Sequence, residues 1–286
     1  MESIPFAANG PGGSPATVVI ESRSRWTALN LGEVWAYRSL LVALVRRDLK
    51  VKYKNMMFGV AWAVLQPLMT MLIFTLFFGR IIKLPSEDIP YPVYALSGLV
   101  LWQFFSRALT EGSTSLVSFG GMLNKVYFPR LIAPLTGIVS AAVDFGFSFV
   151  VLLAVMVFYG VYPAATLLLV PVYLILAVLV SLSVSLWLAA LDVLYRDVRI
   201  VLGYATQLLF YATPVVYSTT ILPQGWFIYR LNPLVPIVQG FRRAVVGGTS
   251  IPELLPTLIA GVLVLVSLIS GALFFRRIER TIADRL

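Results

Sequence analysis

Apolar and charged positions fall into long blocks along this chain, not at the short periods of a soluble domain. A basic stretch holding Arg46, Arg47, Lys50, Lys52 and Lys54 ends at Asn55, and no charge follows until Arg80. A charge-free run of about 25 residues at about 1.5 Å per residue crosses a hydrocarbon core of about 30 Å. The pattern predicts a first membrane span over about 56–79. A second, about 92–113, contains Arg107 and Glu111, which lie on one helical face and can pair or snorkel.

Between Arg130 and Asp192 the only charge is Asp144. That stretch is too long for one crossing, and Gly160 with Pro163 marks a turn between a third span (132–158) and a fourth (165–190). A fifth is expected over 200–217. The sixth, 251–275, opens with Ser250 and Glu253 in capping-box spacing.

Two segments depart from simple spans. Residues 34–54 place Leu40, Leu41, Leu44, Val45 and Leu49 against Arg38, Arg46, Arg47 and Lys50, the pattern of an amphipathic helix resting on the cytoplasmic leaflet. Residues 218–249 are apolar yet lie outside. Asn232 before Pro233 supplies a helix start, and Gly247 with Gly248 a stop, so a short re-entrant helix is expected there. Pro67 and Pro171, inside the first and fourth spans, are expected to kink them.

The fold class is thus an all-α polytopic membrane protein. It has six transmembrane helices, an interface helix at 34–54 and a re-entrant segment at 218–249. Residues 34–286 form one transmembrane domain. Residues 1–33, rich in Gly and Pro, read as a mobile cytoplasmic tail without a signal peptide.

Composition agrees, with 59% apolar residues and 12% charged, where a soluble domain has about a quarter charged. The net charge of +9 does not indicate nucleic acid, because the basic residues sit at the edges of apolar runs. On the six-span layout, sixteen Lys/Arg lie on the side of the N-terminus and five on the other. Both termini are therefore expected in the cytoplasm.

The chain has no cysteine and no histidine, which removes disulfides, thiolate chemistry and His-based metal or proton chemistry. No P-loop sequence occurs, so an ATP-driven role requires another subunit. Asp144, the one deep carboxylate, is expected to be a structural or channel polar group. Deep acids are too scarce for an ordinary ion-coupled carrier. A membrane-embedded glycosyltransferase would show acids clustered at one face, where this chain offers only Asp192 and Asp197.

Several local sequences occur in a telling order: Arg47-Asp48-Leu49-Lys50-Val51-Lys52-Tyr53-Lys54, then Gly59, Trp62 and Gln66-Pro67. Leu123-Asn124-Lys125-Val126-Tyr127-Phe128-Pro129-Arg130 follows, then Tyr195-Arg196-Asp197-Val198-Arg199, Thr213-Pro214-Val215-Val216-Tyr217 and Leu231-Asn232-Pro233. From about Trp35 to Arg280 the chain resembles the permease subunit of type 2 ABC exporters, in the branch that exports O-antigen, capsule or teichoic acid. The long N-terminal tail departs from that pattern.

The resemblance implies a homodimer bound to two separate ATPase subunits, exporting a lipid-linked glycan across a bacterial inner membrane. ATP and Mg would be held by the partner, with no cofactor in this chain. A drug or small-lipid exporter is the nearest alternative.

Coupling to the ATPase would fall to Gly120, Gly121, Lys125, Tyr127, Phe128 and Arg130, with Arg196 and Arg199 as further contacts. The plainer alternatives are a loop whose charges set topology and, at 196–199, a local ion pair. Arg38, Arg46, Arg47 and Lys50 would meet lipid headgroups. Sugars stack their C–H faces on aromatic rings, which nominates Trp62, Phe74, Phe77 and Phe78 of the first span and Tyr204, Phe210, Tyr211 and Tyr217 of the fifth as channel lining. Packing or interfacial anchoring is the alternative for each. Asn232, Arg242 and Arg243 would form an outer gate, the two arginines either snorkelling or touching exiting polymer.

Overall fold

The structure is a computed structural model in which residues 31–54, 61–86, 89–123, 125–163, 165–221, 232–247 and 254–282 are described. Most of the expected tail, the Asn55 boundary, Gly248 and the Ser250–Glu253 capping box lie outside these residues. The described residues contain helices and no strand. This is the expected outcome for chain crossing a medium that cannot satisfy exposed backbone groups.

The helices run in order: α1 (Leu31–Ala36), α2 (Arg38–Lys54), α3 (Ala61–Phe74), α4 (Tyr91–Ser113), α5 (Ser115–Ser118), α6 (Gly120–Leu123), α7 (Ile132–Phe158), α8 (Val170–Leu194), α9 (Val198–Ala212), α10 (Leu234–Val246) and α11 (Leu254–Ile282). A π-helix over Thr75–Ile81 continues α3, and a 3-10 turn over Ala165–Leu169 leads into α8. Four stretches are long and apolar enough to cross a membrane: Ala61–Ile81, Ile132–Phe158, Ala165–Leu194 and Leu255–Ile278. The protein is a multi-pass membrane protein.

The other two expected spans take different forms. α4 carries Arg107 and Glu111 and is the central helix, with Val93, Leu96, Val100 and Ala108 fully buried. It packs mainly on α7 and α8 and also touches α3, α9 and α10. Because protein surrounds most of it, it does not need the uniform apolarity of a lipid-facing helix. α9 is shorter than expected, 15 residues ending at Ala212, and Thr213 is extended. Tyr217, expected on the fifth span, lies beyond that end.

The prolines differ as well. Pro67 is buried inside α3, where it removes a backbone donor and favours a bend. Pro171 sits in the first turn of α8, a position that has no intrahelical acceptor to lose. It starts that helix and does not kink it. The turn between α7 and α8 forms at Gly160, whose φ of 72° is strained for a residue with a Cβ.

α8 and α11 make a tight pair. The Trp187 and Phe274 rings stack with centroids 4.2 Å apart, and Ser183 Oγ donates to Ser267 Oγ at 2.5 Å. α10 lies against α8, α4 and α11, with Ile237, Phe241, Ala244 and Val245 fully buried.

Candidate functional site

Two polar nodes sit on α4, at Arg107 and at Tyr94 with Ser97. The positions are about 15–20 Å apart along the axis at 1.5 Å per residue.

The first node centres on Asp144 of α7, about 18 Å from the Ile132 end of that helix. Its carboxylate accepts hydrogen bonds from Lys52 Nζ and Tyr53 Oη of α2 and from Arg107 Nη1 at 2.7 Å. Arg107 Nη2 donates to Gln66 Oε1 of α3 at 2.5 Å, and Glu111 stands 3.6 Å from Lys52. A buried carboxylate is costly unless paired, and two cations plus a phenol meet that need here. Burial and the adjacent carboxylate push the Tyr53 phenol well above its ordinary pKa, so it stays a neutral donor.

This geometry corrects two expectations. Arg107 pairs with Asp144, not with Glu111 one turn away. α2 does not rest on the leaflet along its whole length, because its last turn carries Lys52 and Tyr53 to the side of α7. Lys52 and Gln66 stood in the sequence only within the basic stretch and the family-like motifs, with no site role. Lys52 looked like one more residue of a topology-setting basic run, and no helical spacing links it to Asp144.

Leu44 and Val45 are buried while Arg38, Arg46, Arg47 and Lys50 are exposed. Arg47 stands over the Phe119 ring at 4.9 Å and donates to Asp48, which links α2 to the segment before α7.

That segment divides between surface and core. Gly121, Lys125 and Tyr127 are exposed, the last at 80%, and Arg130 is half-buried. Gly120 and Phe128 are buried. Phe128, nominated for coupling to the ATPase, does not reach the surface. It instead packs among Leu44, Phe119, Ile132, Leu186 and Phe275 of its own chain. Arg199 makes a bidentate pair with buried Asp192, Nε to Oδ1 at 2.9 Å and Nη2 to Oδ2 at 3.0 Å. The local ion pair is thus formed, with Asp192 and not Asp197 as partner. Arg196 is exposed.

The aromatic residues of the first and fifth expected spans meet. Phe74 stacks on Phe78 at 5.6 Å and tilts against Phe210 at 5.7 Å, and Phe210 touches Trp102 of α4 at 5.4 Å. Trp62, Phe77, Tyr204 and Tyr211 are exposed on the surface of the single chain. Tyr217 Oη donates to Tyr211 O at 2.6 Å, which folds the segment after α9 back on the helix end.

The second node centres on Arg242 of α10, only 4% exposed. Its guanidinium donates to Tyr94 Oη at 2.9 Å, Ser97 Oγ at 3.3 Å, Pro214 O at 3.3 Å and Val215 O. It also lies 3.8 Å from the Tyr94 ring centre. Tyr91 Oη donates to Val216 O at 2.8 Å. Asn232 Oδ1 accepts from Leu234 N at 3.0 Å, the expected cap of α10, while its Nδ2 donates to Thr213 Oγ1 at 3.0 Å. Arg242 therefore neither snorkels nor faces an aqueous path. It fixes the chain after α9 between α4 and α10. Arg243 is half-buried.

Among the described residues no cluster of acids, Cys or His could hold a metal ion. The model of the family described as ABC-2 type transporter matches residues 39–246, from the start of α2 to the end of α10. The chain belongs to the ABC-2 type transporter family. Membership makes the chain a transporter membrane subunit and implies an ATP-binding partner.

Three relatives show how far the likeness extends. An O-antigen export system permease protein RfbA from Myxococcus xanthus is 30% identical over 214 residues, covering 73% of this ABC-2 chain and 81% of the relative. An RfbA protein from Klebsiella pneumoniae is 28% identical over 222 residues, covering 77% and 84%. The polysialic acid transport protein KpsM of Escherichia coli is 26% identical over 213 residues, covering 72% and 81%.

Proposed function

We propose that this ABC-2 chain is the membrane subunit of an ATP-driven exporter of lipid-linked polysaccharide, of the O-antigen type. It moves the glycan from the cytoplasmic to the outer side of the inner membrane, as a homodimer with two separate ATPase subunits. The observation that carries this reading is that the relatives named for O-antigen and polysialic acid transport align over more than 70% of the chain. The chain is not itself catalytic, and ATP and Mg belong to the partner.

In this reading α4 and α9 complete six spans, α10 is re-entrant from the outer side, and both termini are cytoplasmic. The exposed part of 119–130 and the basic face of α2 receive the ATPase. Two copies enclose a path lined by Trp62, Phe77, Tyr204 and Tyr211, backed by Phe74, Phe78 and Phe210. Many weak ring contacts suit a long polymer, because a tight site would stall it.

The test is deletion of this reading frame in its host. Surface polysaccharide should be lost and lipid-linked polymer should accumulate inside, with recovery when the chain is supplied from a plasmid. Undiminished surface polysaccharide in the deletion strain would overturn the reading.

A further inference from the structure

The Asp144 node joins four helices that the chain visits at widely separated positions. Lys52 and Tyr53 come from α2, Gln66 from α3, Arg107 and Glu111 from α4, and Asp144 from α7. Asp144 has a side-chain exposure of 7% while Lys52 and Arg107 keep 25% and 29%. The carboxylate is thus the fixed centre and the cations approach it from the periphery.

Gln66 immediately precedes Pro67, where α3 lacks a backbone donor. A helix that lacks a backbone hydrogen bond yields there more easily to a side-chain force. Arg107 holds α3 beside Pro67 with one nitrogen and Asp144 with another. A displacement of the end of α2 therefore reaches α3 through space, by Lys52 to Asp144 to Arg107 to Gln66.

Neither electrostatics nor helix stability requires the Gln66 link. Asp144 is compensated by Lys52, Tyr53 and Arg107 without it, and an unbonded glutamine amide at a half-exposed site could bind water instead.

We infer that Lys52, Asp144, Arg107 and Gln66 are positioning residues that make the end of α2 and the Pro67 segment of α3 move as one body. They carry ATP-driven displacement of α2 into the aromatic helix α3. This rests on the transporter reading above, because it needs an ATPase to move α2.

The absence of cysteine allows paired spin labels without a prior substitution. Val51 on α2, Ile73 on α3 and Ile175 on α8 are exposed and accept them. In the full complex reconstituted in nanodiscs, ATP trapping should change the V51C–I175C distance by about 2 Å or more, the scale of helix shifts in such transitions. The V51C–I73C distance should stay constant. In Gln66→Leu the second distance should change as well. A V51C–I73C distance that changes on ATP binding in the otherwise unaltered chain would overturn the inference, and so would two distances that both stay fixed.

In cells, Gln66→Leu should reduce surface polysaccharide about fivefold or more with normal assembly and ATP hydrolysis. Gln66→Glu, which keeps an acceptor for Arg107, should restore it. Full export by Gln66→Leu would also overturn the inference. The distance measurements require no export substrate, so failure of the polysaccharide reading would leave them intact and be seen separately in the deletion strain.

Discussion

The two polar nodes on α4 hold their arginines, one half-buried and one buried, by different means. Arg107 is one of two cations around a carboxylate, with a phenol as the third donor. Arg242 is bound by two hydroxyls, two backbone carbonyls and an aromatic face. The first arrangement depends on a charge buried in another helix, so removing that charge leaves cations facing one another. The second depends on neutral dipoles, each of which tolerates loss of its donor better. The ionic node suits parts that must move together, and the neutral one suits holding an irregular segment after a short helix.

The largest effect is expected for Asp144→Asn. Loss of the carboxylate leaves Arg107 without its counter-charge and Lys52 with Glu111 alone at 3.6 Å, a change that costs up to about 3–5 kcal/mol when the pair is buried. The thermal midpoint of the solubilised chain should fall sharply, and Asp144→Glu should recover most of it. A small fall would mean that water, not Asp144, carries the two cations.

Arg242→Met should cost less, about 2–3 kcal/mol, because the groups left behind are neutral acceptors that lose a charged donor. Arg242→Lys should recover only part, since one ammonium cannot reach both the Tyr94 hydroxyl and the 214–215 carbonyls. If Arg242→Met lowered the thermal midpoint as far as Asp144→Asn, the distinction between the ionic and neutral nodes would collapse.

Gly98→Ala tests the same end of α4 more gently. A Cβ there would lie 2.1 Å from Val215 O and 2.6 Å from Arg242 Nη2. The backbone after α9 would have to retreat, with an expected loss of about 1–3 kcal/mol as in other overpacked sites. An unchanged midpoint would show that the 214–216 segment is not pinned to α4.

The α7 and α8 spans were legible because a lipid-facing helix declares itself by a long charge-free run. Local signals of short range held too, as at Gly160 and at the Asn232 cap of α10. α9 was drawn too long because Pro214 to Tyr217 remain apolar after the helix has ended, and apolarity alone cannot distinguish a helix from buried irregular chain. The nodes were hidden for a different reason. Lys52 and Asp144 are separated by 91 intervening residues, and Arg242 meets carbonyls that have no sequence signature at all. Membrane charge rules read each basic residue by its side of the bilayer, so they assign Arg242 to the surface when packing has withdrawn it from there.

Gly121 should give the smallest effect on stability and so the cleanest test of the surface between α5 and α7. It is exposed in the short helix α6, and a Cβ there meets nothing within 4 Å. Gly121→Ala should therefore leave the thermal midpoint within about 0.5 kcal/mol of the parent, as for surface positions away from packing. Gly121→Leu should do the same in the isolated chain, since the larger side chain also points into open space. If this surface receives the ATP-binding subunit, the leucine projects into the joint. Co-purification of that subunit should then fall together with export, although the chain itself stays folded. Phe128, buried in its own chain, gives the contrast, because Phe128→Ala should lower the midpoint and the co-purification together. Equal co-purification by Gly121→Leu and the parent would reduce 119–130 to a loop whose basic residues only set topology. In that case the contact of Arg47 with Phe119 would be packing beneath an unused surface.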